Sequence, residues 1–232
     1  MIDEDAIAAA EAEAEGVSPP PTPEGYSEPY QFEYPKLFVT LAAMVVTVVS
    51  AVVYGWLLLQ FQGTEVLGVV FETTAEDEIT VVLQLGVVGV PMLFAFLTVA
   101  VFHELLHGVV YQRYGYDVNY GVYWRFGAVY AAVFNQFHSR EHNLRVGIAP
   151  LVIITAICLP LLAVPIPLVA TVAFFVLVLN TGGAMADMYA LWRFYRMPQG
   201  TLFYDVNIDN QYVFEPGSWI AVPYRDDFVA VS

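Results

Sequence analysis

Four long stretches of this chain carry almost no charge, and they restrict its fold more than any other feature. Residues 37–61, 80–102 and 146–164 hold no Asp, Glu, Lys or Arg, and residues 167–191 hold Asp187 alone. Each is close to the roughly 20 residues that cross a bilayer as a helix. Only a helix or a closed barrel satisfies its own backbone in lipid, so the four runs predict four transmembrane helices. The second run is expected to continue through VFHELLHGVV (101–110), with Pro91 as a kink. The turn Pro165-Ile166-Pro167 separates the third helix from the fourth. Trp192, Phe194 and Tyr195 beside Arg193 and Arg196 make an aromatic and basic belt suited to a membrane surface.

The composition agrees. Of 232 residues, 58% are hydrophobic and 13% charged, where a soluble domain carries about 25% charged residues. Net charge is −15, from 23 acids against 8 bases, with Lys36 the only lysine. Nucleic acid is excluded as a partner, because phosphate binding needs clustered Lys and Arg. Excess acid with so little lysine is similar to the composition of proteins from salt-loving archaea, where salt screens the self-repulsion. The single cysteine, Cys158, lies in an apolar run and reads as a small buried hydrophobe.

The expected organisation has three parts. Residues 1–33 contain nine acids and no base, too polar to bury a core, and predict a disordered acidic tail. That tail lacks the basic start and apolar centre of a signal peptide. Residues 34–196 form the four-span membrane domain, and residues 197–232 a C-terminal tail with strand-like pieces such as TLFYDV and QYVF. The aromatic, β-branched stretch 116–134 predicts a short hairpin at the membrane edge. The fold class expected is thus an all-α membrane protein of four transmembrane helices with one β-hairpin-like segment, integral to the cell membrane. The first connection carries Glu65, Glu72, Glu76, Asp77 and Glu78 and no base, while the stretch 111–145 carries Arg113, Arg125, Arg140 and Arg145. The positive-inside rule then places both termini and the 111–145 segment in the cytoplasm.

Ionisable groups inside lipid are costly, and by default they mark function. In a helix, positions i and i+4 share a face, so His103 and His107 of HELLH present two imidazoles to one point. Glu104 sits beside the first, turned from direct ligation but within reach of a water. That is the physical content of H-E-x-x-H: two zinc ligands and a general base. A catalytic zinc takes a third protein ligand and keeps one open position. Asp187 is the only acid in the last two runs, and Ala184, Gly183 and Asn180 share its helical face. Small residues there, and Gly108 on the HELLH helix, are expected to let two helices approach closely. His107 lies six residues before Arg113, and Asp187 six before Arg193, about 9 Å of helix in each case. The three ligands therefore meet at one depth. The other roles open to Asp187 are pairing with an arginine or capping a broken helix.

HSREH (138–142) matches the inverted pattern H-x-x-E-H. It sits among polar residues with Ser139 placed as an N-cap, which a solvated helix start explains. His138, His142 and Asn180 are candidates for support of the zinc ligands or of an oxyanion.

FHELLHG (102–108), IAPL (148–151) and NTGGAMAD (180–187) together resemble the zincin peptidase family of multi-pass membrane proteins, and more distantly the site-2 proteases. The resemblance covers about residues 80–196. It implies zinc as cofactor, His103, His107 and Asp187 as ligands, and Glu104 as the catalytic group. The chain departs from the site-2 pattern, with Met188 after Asp187 and no proline between Asn180 and Asp187.

The function expected is a zinc-dependent intramembrane metalloprotease. It would cut a peptide bond of a membrane-embedded protein or peptide substrate, with the lipid bilayer as its surroundings, near the cytoplasmic face. The alternative is a non-enzymatic membrane scaffold or transporter component with a structural metal site, its fourth position filled by protein. Haem is disfavoured, since histidines four apart on one helix cannot reach opposite haem faces.

Overall fold

The computed structural model describes residues 18–67, 69–73, 79–83, 85–123 and 128–217. Residues 1–17 of the expected tail, Glu76, Asp77 and Glu78, Arg125, and residues 218–232 lie outside that set. The chain is mostly helical. Its helices are α1 (Lys36–Gln62), α2 (Leu85–Arg113), α3 (Arg140–Leu161), α4 (Pro167–Gly183) and α5 (Met185–Arg196). The expectation of an all-α chain is corrected by eight strands in three small antiparallel sheets among the described residues. α1, α2 and α3 are long and apolar enough to cross a membrane, and α4 with α5 passes the same test as a pair bent by 42°.

The described residues fall into two compact units, one of residues 18–34, 107–147 and 190–217, the other of residues 35–106 and 148–189. In the second unit α1 lies against α4, and Leu58, Val66, Leu162, Ala170, Ala173 and Leu177 form a core. A second cluster gathers Ala95 of α2, Ile154 of α3 and Val176 of α4. A Cβ on Gly182 would meet the Thr47 hydroxyl and lie 3.1 Å from its Cβ, so glycine is what lets α4 close on α1. Of α1 only Ser50 and Leu58 are buried, while Leu37, Phe38, Met44, Val48 and Val52 are exposed. That is the reverse of a water-soluble helix, which hides its apolar stripe. Residues 80–83, expected to begin the second span, instead form strand β3 (Ile79–Leu83), paired with β2 (Val69–Thr73). The described parts of the first connection therefore include two antiparallel strands.

The first unit is built on a four-stranded antiparallel sheet of order β1-β8-β7-β6: Tyr30–Gln31, Asn210–Phe214, Leu202–Asn207 and Phe137–Ser139. Phe203, Val213 and Phe214 of its two central strands are fully buried. The Phe194 ring of α5 lies 4.3 Å from Phe203 and 5.2 Å from Phe32. Residues 18–33 were expected to be disordered. Residues 26–32 instead run along β8 and the residues just after it, with Tyr30 opposite Val213 and the Phe32 N–H donating to Gln211 O at 2.8 Å. The segment needs no core of its own, because it adds its backbone to an existing sheet edge. β4 (Asn119–Tyr123) and β5 (Ala128–Ala132) pair as the expected hairpin.

Candidate metal centre

His103, Glu104 and His107 lie in the last third of α2, which runs unbroken to Arg113. The helix itself sets His107 one turn beyond His103. Both histidines are buried, and Glu104 is partly so. Asn180 lies in the last turn of α4, and Asp187 sits in the first turn of α5, beyond a break at Ala184. An acid in a first turn is favoured by the positive end of the helix dipole.

One imidazole nitrogen of each histidine and one carboxylate oxygen of Asp187 lie within 4.8 Å of one another, a group that could hold a metal ion. His103 bridges the two halves of the broken helix, with Nδ1 3.0 Å from Asn180 Oδ1 and Nε2 3.0 Å from Asp187 Oδ2. An amide oxygen only accepts, so His103 Nδ1 carries its proton. Nε2, the nitrogen facing Asp187, shares a hydrogen bond with that carboxylate and is the one left to bind a metal in place of the shared proton. His107 repeats the arrangement, with Nδ1 3.0 Å from the main-chain oxygen of Val146. Both rings are thus pinned as one tautomer, each leaving Nε2 to ligate. Metal-binding histidines are ordinarily held in this way, through the nitrogen that does not bind the metal. The donor set, two imidazoles and a carboxylate, suits zinc, whose tetrahedral centre keeps ligand atoms about 3.3 Å apart. The residues fit the ion. Asn180 Nδ2 is buried without a hydrogen-bond partner among the described residues.

Other expected residues take different places. Gly108 does not face the Asp187 helix as expected; a Cβ there would meet the Tyr120 ring of β4. Gly183 has open space around it. HSREH is divided among separate networks. His138, fully buried, pairs through Nδ1 with Asn143 Oδ1 at 2.9 Å and sets Nε2 3.4 Å from Asp205. Asn143 Oδ1 also accepts from the Tyr111 hydroxyl at 2.7 Å. Glu141 pairs with Arg140 at 2.9 Å. His142 stacks on Tyr114 at 3.9 Å and accepts through Nδ1 from the Tyr116 hydroxyl at 2.8 Å. Burial pushes the Tyr116 hydroxyl above its ordinary pKa, so it is the proton donor at neutral pH. Ser139 Oγ accepts the His142 N–H at 3.2 Å, the expected N-cap bond. Neither His138 nor His142 belongs to the metal-capable group found among the described residues. Side-chain reasoning missed the Val146 carbonyl, a main-chain acceptor without a residue signature of its own.

Neither curated proteins nor solved structures give a match to this chain. Residues 96–202, which carry HELLH, Asn180 and Asp187, match the model of a family described as "Putative zincin peptidase", and over that segment the chain is similar to it.

Proposed function

We propose that this chain is a zinc-dependent intramembrane metallopeptidase. The observation that carries the reading is the paired orientation of the rings: both buried histidines set Nδ1 against an oxygen, and one nitrogen of each lies within 4.8 Å of an Asp187 carboxylate oxygen. The similarity to zincin peptidases and the HELLH register support it. A zinc ion held by His103, His107 and Asp187 would act as a Lewis acid on the scissile carbonyl and acidify the attacking water.

Glu104 takes the proton of that water and later delivers it to the leaving amine. The unpartnered Asn180 amide is the donor we assign to the developing oxyanion. The apolar exterior of α1 and the apolar lengths of α2, α3 and the α4–α5 pair support four spans in the cell membrane. The arginines at 113, 140, 145, 193 and 196 support cytoplasmic termini and a site near that face. The partner is then a membrane-embedded protein or peptide. An apolar hollow of about 720 Å³, lined by Phe94, Phe102 and Leu106 of α2, Ile153 and Ile157 of α3 and Val172 of α4, suits its apolar segment.

The test is zinc content and cleavage of a membrane-anchored peptide by purified protein. Glu104→Gln is expected to keep zinc and lose about 10²- to 10⁴-fold in rate. His103→Ala is expected to lose zinc. Undiminished cleavage by Glu104→Gln would remove Glu104 from the chemistry. X-ray absorption showing four protein ligands would favour the structural metal site instead.

A further inference from the structure

α3 has a carbonyl to spare that an ordinary helix would not have. The Val146 main-chain oxygen lies 3.0 Å from His107 Nδ1. In an α-helix that oxygen is normally taken by the N–H four residues on. Four residues on is Pro150, inside α3 and fully buried. Proline has no N–H, and its ring crowds the carbonyl four residues before it and tilts it off the helix axis.

We infer that Pro150 is a positioning residue for the candidate metal centre. By removing the i+4 N–H that would otherwise take the Val146 oxygen, it frees the acceptor that fixes His107. A carbonyl cannot donate, so His107 is held with Nδ1 protonated and the lone pair on Nε2. Any other residue at 150 brings back a helical N–H. That donor draws the carbonyl along the axis and competes with the imidazole. His107 is then free to change tautomer and to turn. Losing such an orienting partner costs about 10- to 100-fold in metal affinity. The helix contains a second proline, Pro160, whose missing N–H frees the carbonyl of residue 156 and not that of Val146. The two prolines therefore separate the orienting effect from any general effect of proline on the helix. The inference deepens the zinc reading above and rests on it.

The experiment uses the full chain in detergent micelles, with zinc affinity measured by chelator competition and the visible spectrum of the cobalt-substituted protein. Pro150→Ala is expected to bind zinc about 10- to 100-fold more weakly and to shift the cobalt bands. L-lactic acid at position 150, introduced as a backbone ester, carries the same methyl group but no N–H. It is expected to restore wild-type affinity and spectrum. Pro160→Ala is expected to match wild type. Should Pro150→Ala fail to fold, a folded, zinc-binding lactate variant still supports the inference. Wild-type affinity in Pro150→Ala would overturn it, as would equal loss in the alanine and lactate variants. Absence of zinc binding in the wild type would overturn the functional reading itself, a distinct result.

Discussion

Arg140 ties the start of α3 to the end of α5, and removing its guanidinium while keeping its stem should be among the more costly single changes in the chain. Its Nε donates to Phe194 O at 2.7 Å, Nη2 to Tyr195 O at 2.8 Å and Nη1 to Glu141 Oε1 at 2.9 Å. The two carbonyls belong to the last turn of α5, past the reach of its i→i+4 ladder, and Phe194 O also accepts the Met197 N–H at 3.1 Å. The arginine is 8% exposed, so water cannot readily replace it. A hydrogen bond from a charged donor is worth about 1.5–3 kcal/mol. Taking about 1.5–2 kcal/mol for each carbonyl gives about 3–4 kcal/mol. The bond to Glu141, whose side chain is 21% exposed, adds little. For a chain of this size Arg140→Met should then lower Tm by roughly 6–16 °C. Arg140→Lys, with one ammonium and no fork, should fall between. The assay is thermal unfolding in detergent followed by tryptophan fluorescence. Arg196→Met is the control: this exposed arginine lies 4.3 Å over the Trp192 ring, a contact worth about 0.5–1 kcal/mol. A Tm loss in Arg140→Met no larger than in Arg196→Met would refute the reasoning.

Asn180→Ala should weaken zinc binding about 10- to 100-fold by freeing His103 Nδ1, while Asn180→Asp, which keeps an acceptor and adds charge, should bind at least as tightly as wild type; chelator competition measures both. Gly182→Val should destabilise by about 1–3 kcal/mol through overpacking against Thr47. Thr47→Ala should recover part of that loss, and strictly additive Tm losses in the double variant would argue against this contact.

The local features of this fold are written in the chain and the distant pairings are not. Four uncharged runs announce α1, α2, α3 and the α4–α5 pair, since a helix's apolar length is a local property. The i,i+4 register of His103 and His107 is equally local, and Asp187 is noticeable as the only acid in its run. Strand β1 is different. Tyr30 and Gln31 pair with Val213 and Tyr212, far along the chain, and an acidic, proline-rich segment gives no local sign of that partner. Gly183 suggests close helix approach at the Asp187 face, yet it has open space around it; its neighbour Gly182 is the one that admits Thr47 of α1, and the helix breaks one residue after this glycine pair. Helices do break at such pairs. Pro150 is legible once the Val146 carbonyl is known to be needed, and silent before.

The break at Ala184 has a geometric consequence for the site. Asn180 and Asp187 are seven residues apart, so on a straight helix they share a face but stand about 10 Å apart along the axis. One imidazole engages both, at 3.0 Å on either side, which a straight helix does not readily permit. A bend of 42° draws together side-chain tips on its inner side. At the roughly 5–6 Å radius of a helix with side chains, they converge by about 4 Å. The face carrying Asn180 and Asp187 must therefore be the inner one, since an outward bend would separate them by as much. The same break exposes a fresh helix N-terminus two residues before Asp187, a position whose dipole suits an acidic side chain. A helix that would otherwise supply one partner to His103 thus supplies two, one at Nδ1 that orients the ring and one at the nitrogen left to ligate.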